Sequence, residues 1–209
     1  MDGLLIPFTI VILIFSAVMH EVSHGAMAFA LGDPTAKMQG RLTMNPLVHL
    51  DLYGSIILPA LMVILQVPFF FAYAKPVPYN PYNLKYPRWG ESLVAAAGPL
   101  SNIALAILLG LSFRGAEFFG LIQTQQMAQL FFFAIQINIM LAVFNLVPIP
   151  PLDGSKVIRP LLPYHWVRSS TYLQIERQGM FLLILFIFFG GGQVIAPIIR
   201  TGTRLIIGI

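Results

Sequence analysis

Read as apolar and polar positions, the chain alternates long apolar runs with short polar ones. Apolar segments fall at roughly 4–31, 91–113, 128–150 and 179–199, each near the ~20 residues that carry a helix across the hydrocarbon of a bilayer. A fifth segment, 54–72, is also apolar. It carries Pro59 and Pro68 and runs between Gly54 and the stretch Lys75-Pro76-Val77-Pro78, so a re-entrant or partly spanning segment is expected there rather than an unbroken helix. Between the first and fifth segments, Lys37, Gln39, Arg41 and Thr43 alternate with Met38, Leu42 and Met44. That period of two predicts a short β-hairpin near 36–44. Residues 73–90, rich in Pro, Tyr and Asn, read as an ordered loop. The expected fold is an integral membrane, mainly α protein with about four transmembrane helices, a re-entrant or partly spanning 54–72 and the hairpin. Residues 1–209 are expected to form a single membrane-embedded domain.

Composition sharpens this picture. Hydrophobic residues make up 57% of the chain and charged residues 10%, against roughly 25% charged in a soluble domain. A lipid bilayer is therefore an implied partner. The net charge of +4 comes from basic residues scattered singly between apolar runs, the pattern of loops at an anionic membrane face and not of a nucleic-acid-binding surface. A cleaved leader would begin with basic residues; here Asp2 is the only charge before the first apolar run, which is read as a retained helix. There is no cysteine, so disulfides, thiolate catalysis and Cys metal sites are excluded. Any metal must use His, Asp or Glu.

The strongest chemical signal is His20-Glu21-Val22-Ser23-His24. On a helix, His20 and His24 lie one turn apart on one face, so both imidazoles can reach one zinc ion. Glu21 beside them is placed to act as general base toward water. Ionisable side chains inside an apolar segment are costly and are functional by default. Catalytic zinc takes three protein ligands and leaves a position for water. Without cysteine, the candidates for the third are His49, His165 and a carboxylate. Asp153 stands out in Asn145-Leu-Val-Pro-Ile-Pro-Pro-Leu-Asp153-Gly154. Three prolines stop the preceding helix, and Gly154 permits close backbone approach. His49 reads as a loop histidine. His165, between Tyr164 and Trp166, reads as membrane-interface structure. Asn102 reads as a bridge between helices.

These residues resemble the site-2 proteases, membrane-embedded zinc metalloproteases. The likeness rests on His20-Glu21-Val22-Ser23-His24 in the first apolar segment, Asn145 with Leu152-Asp153-Gly154 after a later one, and Ala97-Gly98-Pro99-Leu100-Ser101-Asn102 between them. Lys75-Pro76-Val77-Pro78-Tyr79-Asn80 is similar to the compact bacterial members. The resemblance implies one Zn2+ held by His20, His24 and Asp153, with Glu21 as base and Asn145 contacting the substrate backbone or the oxyanion. It implies membrane protein substrates, a multi-pass protein of a bacterial cell membrane, and none of the PDZ or CBS domains of larger relatives. A homo-oligomer remains open. On this reading the alternating stretch at 36–44 could capture an unwound substrate by strand addition.

Topology follows from the chemistry. For the end of the first segment to meet Asp153 on one metal, their two segments must run parallel, with 54–72 entering and leaving on one side. Lys37, Arg41, Lys75, Lys85, Arg88, Lys156, Arg159, Arg168 and Arg177 then share the cytoplasmic face, leaving Arg114, Arg200 and Arg204 opposite, as the positive-inside rule favours. Three rival readings make different demands on the sequence. A desaturase needs more than the four histidines present, and a di-iron bundle needs two Glu-x-x-His motifs. A non-proteolytic metal transporter or inactive scaffold is the alternative of a different class, and it leaves Glu21 without a purpose.

Overall fold

The computed structural model describes residues 2–57, 61, 62, 64, 65 and 74–208. Among these, four helices are long and apolar enough to cross a membrane: Leu5–Ala30, Gly90–Phe118, Gln125–Asn145 and the kinked Gly179–Ile207. The first belongs to α1 (Asp2–Ala30), and the next two are α2 (Gly90–Phe118) and α3 (Gln125–Asn145). At 1.5 Å per residue the 29 residues of α1 reach about 43 Å, beyond the ~30 Å of a hydrocarbon core. The histidine end of α1 therefore has room to lie near an interface. Thr124 starts α3, its hydroxyl accepting the Met127 N–H at 3.2 Å.

α2 is the central helix, flanked by α1 and α3. Its buried residues Ala95, Gly98, Asn102, Ala106, Gly110 and Phe113 recur at intervals of three and four, the repeat of one helix face. Four of these six are glycine or alanine, which lets backbones approach closely where lipid supplies no hydrophobic drive. A Cβ on Gly110 would stand 2.1 Å from Ile206 Cγ2, so the last helix closes on α2 through that gap. Ala106 and Phe113 of α2 meet Ile135 and Ile139 of α3 and Ile207 there. Outside, Leu108, Leu111, Phe118 and Phe189 face outward, as expected where the solvent is lipid.

After α3 the chain turns through Pro148, Pro150 and Pro151 into α4 (Asp153–Ile158). A one-turn helix at Tyr164–Val167 and α5 (Ser170–Arg177) follow, the latter started by Ser169 accepting the Tyr172 N–H at 3.1 Å. α6 (Gly179–Phe186) and α7 (Gly192–Ile207) complete the last crossing. Between them Gly190 has φ of +115°, a left-handed conformation that glycine adopts without strain.

The expected β-hairpin near 36–44 is not formed, and no strand occurs among the described residues. Asp33 decides this locally. Its carboxylate accepts the Thr35 N–H at 3.3 Å and the Thr35 hydroxyl at 2.6 Å, which starts a helical turn at Thr35–Met38. Gly40, at φ +66°, then redirects the chain. The alternation did not separate an inner from an outer face: Arg41 is buried, its guanidinium donating to the carbonyls of Val48, Lys75 and Pro76. Strand addition at 36–44 loses its edge with it. Asp33 also accepts from the Asn80 N–H at 2.7 Å and the Asn83 amide at 2.9 Å. Burial pushes its carboxyl up, but these bonds outweigh it and hold the group below the usual carboxylate range.

Most of the expected excursion at 54–72 lies outside the described residues. Its flanks do not: the Lys75 N–H donates to the His49 carbonyl at 2.8 Å, so the chain leaves and returns at one place. Residues 74–80 then run without helix along the end of α1.

Candidate metal centre and catalytic cavity

The site forms where α1, α2 and the start of α4 converge. His20 and His24 share one face of α1, with ring centroids 4.6 Å apart. Each imidazole is fixed through Nδ1. His20 Nδ1 lies 2.7 Å from Asn102 Oδ1. The Asn102 amide nitrogen donates to the Ser16 carbonyl and to Asn138 Oδ1, both at 3.1 Å, so its oxygen is the atom left to accept from His20. His24 Nδ1 donates to the Val94 carbonyl at 2.7 Å. Both histidines, Asn102 and Asn138 are buried.

With Nδ1 donating in each ring, a neutral imidazole presents a lone pair at Nε2. Asp153 Oδ2 lies 3.0 Å from His20 Nε2 and 3.3 Å from His24 Nε2. Two lone pairs and a carboxylate oxygen at such separations repel one another unless a proton or a metal cation lies among them. Ligand atoms 2.0–2.1 Å from a tetrahedral zinc stand about 3.3 Å apart, and these three residues offer ligand atoms all within 4.8 Å of one another. The donor set fits the ion. The space is kept open by Gly98: a Cβ there would stand 2.5 Å from His24 Nε2 and 2.6 Å from His20 Nε2. Gly154 does for the turn what its place after Asp153 suggested, since a Cβ would meet the Leu146 carbonyl oxygen at 2.2 Å. That contact folds α4 back against the end of α3 and so aims Asp153.

A cavity of about 200 Å³ opens on the three residues and is also lined by Glu21, Val77, Tyr79, Asn145 and Lys156. Glu21 Oε2 accepts the Val77 N–H at 3.0 Å, which orients the carboxylate at the cavity wall. Asn145 lines the same space, with its side-chain amide donating to Leu141 one turn back at 2.9 Å. All five residues singled out in the sequence are thus brought to one place. The other histidines are not. His49 is buried and donates from Nε2 to the Thr43 carbonyl at 2.8 Å, and His165 is exposed on its helical turn. Asn102 does bridge α1, α2 and α3, as its chemistry suggested, and it also holds a metal-facing ring. The parts played by Gly98, Val94, Val77 and Asn138 carried no separate signal. The nearest to one is Asn138, an amide within an apolar crossing.

Comparison with known proteins agrees with this geometry. The description "Peptidase family M50" matches residues 116–189. The chain is 38% identical over 204 residues to "Putative zinc metalloprotease YwhC" of Bacillus subtilis, spanning 95% of this chain and 88% of that one. It is 28% identical over 184 residues to "Putative zinc metalloprotease Rip2" of Mycolicibacterium smegmatis, spanning 82% of this chain and 62% of the relative. "Zinc metalloprotease MJ0392" of Methanocaldococcus jannaschii is 30% identical over 108 residues, 51% of this chain and 30% of its own. No solved structure matches. The fold and donor set define a membrane-embedded metalloprotease whose metal is zinc. The chain belongs to peptidase family M50, the site-2 proteases.

Proposed function

We propose that this protein hydrolyses peptide bonds within or next to transmembrane segments of other membrane proteins, as a multi-pass enzyme of the cell membrane. The observation that carries the reading is the convergence of His20, His24 and Asp153 beside Glu21 at the end of an apolar helix. His20, His24 and Asp153 would hold zinc, which when bound polarises a carbonyl and lowers the pKa of water toward ~7. Glu21, its carboxylate oriented by the Val77 N–H, takes the proton of the attacking water and returns it to the leaving amine. Asn145 has a second amide hydrogen beyond the one bonded to Leu141, available to a substrate carbonyl or to the developing oxyanion. The wall formed by 76–79 and the turn at 151–153 restricts the cavity to a narrow, locally unwound chain. A substrate helix must therefore open before its carbonyls are exposed.

The test is cleavage of a membrane substrate in liposomes by wild type and Glu21→Gln at equal zinc content. The variant keeps size and hydrogen bonding but loses the base, so turnover should fall by about 10²–10⁴-fold while zinc stays bound. Equal cleavage by the two would sink the proteolytic reading. A transporter or scaffold using the same ligands would tolerate the change.

A further inference from the structure

Beside the metal cavity lies a larger cleft of about 1050 Å³, between residues 81–92 and 156–173. Arg88, Lys156, Arg159 and Arg168 line it, and Glu91 is the one carboxylate among its lining residues. The catalytic reading uses none of them. Their positions are built rather than incidental. Arg159 pairs with Glu91 at 2.9 Å. Arg88 donates to the Pro160 carbonyl from two nitrogens, at 3.3 and 2.9 Å, and Ser92 donates to the Val157 carbonyl at 2.9 Å, joining the two walls. Arg168 lies over the Tyr164 ring at 4.6 Å and Lys156 over the Tyr79 ring at 5.4 Å. Glu91 offsets one of these cations, so the cleft is left strongly positive.

Lys156 lines both the cleft and the metal cavity. It stands three residues beyond Asp153 on α4, about 4.5 Å along the helix axis. We propose that the cleft receives an acidic stretch of the substrate polypeptide beside the scissile bond, so that the enzyme selects membrane proteins with Asp or Glu next to the cleaved end of a transmembrane helix. This rests on the proteolytic reading. Two arguments favour a polypeptide occupant. The first is continuity: a chain held at the metal must leave past the residue that both cavities share. An extended chain advances about 3.3 Å per residue, so its acidic side chains fall within the few residues next to the bond. The second is charge. The cleft lies with the cluster of basic loops at one end of the bundle, and ordinary transmembrane helices carry Lys and Arg on such a face. A positive cleft repels that majority and admits the acidic exception, which is specificity by repulsion as much as by attraction.

The test uses the full-length zinc-loaded protein in neutral phosphatidylcholine liposomes, with one transmembrane substrate whose flank next to the cleavage site carries Glu, Gln or Lys. KM should rise in that order, by about tenfold from Glu to Lys, the scale of one partly screened charge contact. Arg168 is exposed, so Arg168→Glu should fold, and it should flatten or invert the ranking. Arg168→Gln should narrow it. Glu21-dependent cleavage with equal KM for all three flanks would overturn the proposal and leave the proteolytic reading intact. The same holds if the Arg168 variants alter activity only in anionic vesicles and alike for all flanks, which would assign the cleft to lipid headgroups. Absence of Glu21-dependent cleavage of every flank would overturn the proteolytic reading and this proposal with it.

Discussion

Toward the end of the bundle away from the histidines, Ala106, Phe113, Ile135 and Ile207 of α2, α3 and α7 close on one another as a purely hydrophobic cluster. Toward the other end α1, α2 and α3 meet through side-chain amides and imidazoles, from Asn138 to Asn102 to His20, with the backbone carbonyls of Ser16 and Val94 as further partners. In lipid the two arrangements obey different rules. Apolar side chains leave surroundings as apolar as those they enter, so their packing is worth only the improvement in contact. A polar group without a partner has no water to fall back on and costs several kcal/mol. The apolar end should therefore respond to substitution by degrees, and the polar end in large steps.

The largest step is expected at Gly98. Alanine is the better helix former by about 1 kcal/mol, so a weakened α2 would not explain a loss. Its Cβ, however, would lie within 2.6 Å of ring atoms of both histidines. Gly98→Ala should purify as an inserted protein with little or no zinc by elemental analysis; full zinc occupancy would mean that α1 and α2 can separate, and that the close fit is not required. Asn102→Leu comes next. It removes the acceptor that fixes His20 and leaves Asn138 without its donor. Loss of such an outer-shell partner typically costs 10–100-fold in metal affinity, readable by competition with a chelator. Asn102→Asp restores the acceptor and should recover most of the affinity, which a merely structural role for Asn102 would not predict.

The same contrast explains what could be read from the sequence. His20, Glu21 and His24 were legible because helical spacing alone puts them together, and Asp153 because prolines and Gly154 mark a turn at the end of a crossing. The four crossings were legible because length and hydropathy define them. The pairing of Asn102 with Asn138 was not, since it depends on the rotation of two nearly all-apolar helices, whose patterns have no polar stripe to phase them. The stretch at 35–44 misled for a related reason. Its alternation counted Arg41 as an outward residue, whereas three backbone carbonyls far from it in sequence or across a turn draw it inside. Asn145 lines the cavity, but its bond to Leu141 depends on a rotamer that residue type does not fix.

The smallest effect belongs to the apolar end. Ile135 is fully buried between Ala106 and Ile207, and Ile135→Val removes one methylene there. The expected loss is about 0.5–1.5 kcal/mol of unfolding free energy in detergent micelles, toward the lower figure because lipid-like surroundings compete well for the exposed methyl groups. Zinc affinity should be unchanged, since Ile135 takes no part in the hydrogen bonds that run from Asn138 through Asn102 to His20. If Ile135→Val weakened zinc binding tenfold, the two ends would be coupled through α3, and the division between graded and stepwise behaviour would fail. If instead stability fell with zinc affinity intact while Asn102→Leu lowered both, the apolar cluster would be holding the helices together and the polar chain setting their rotation.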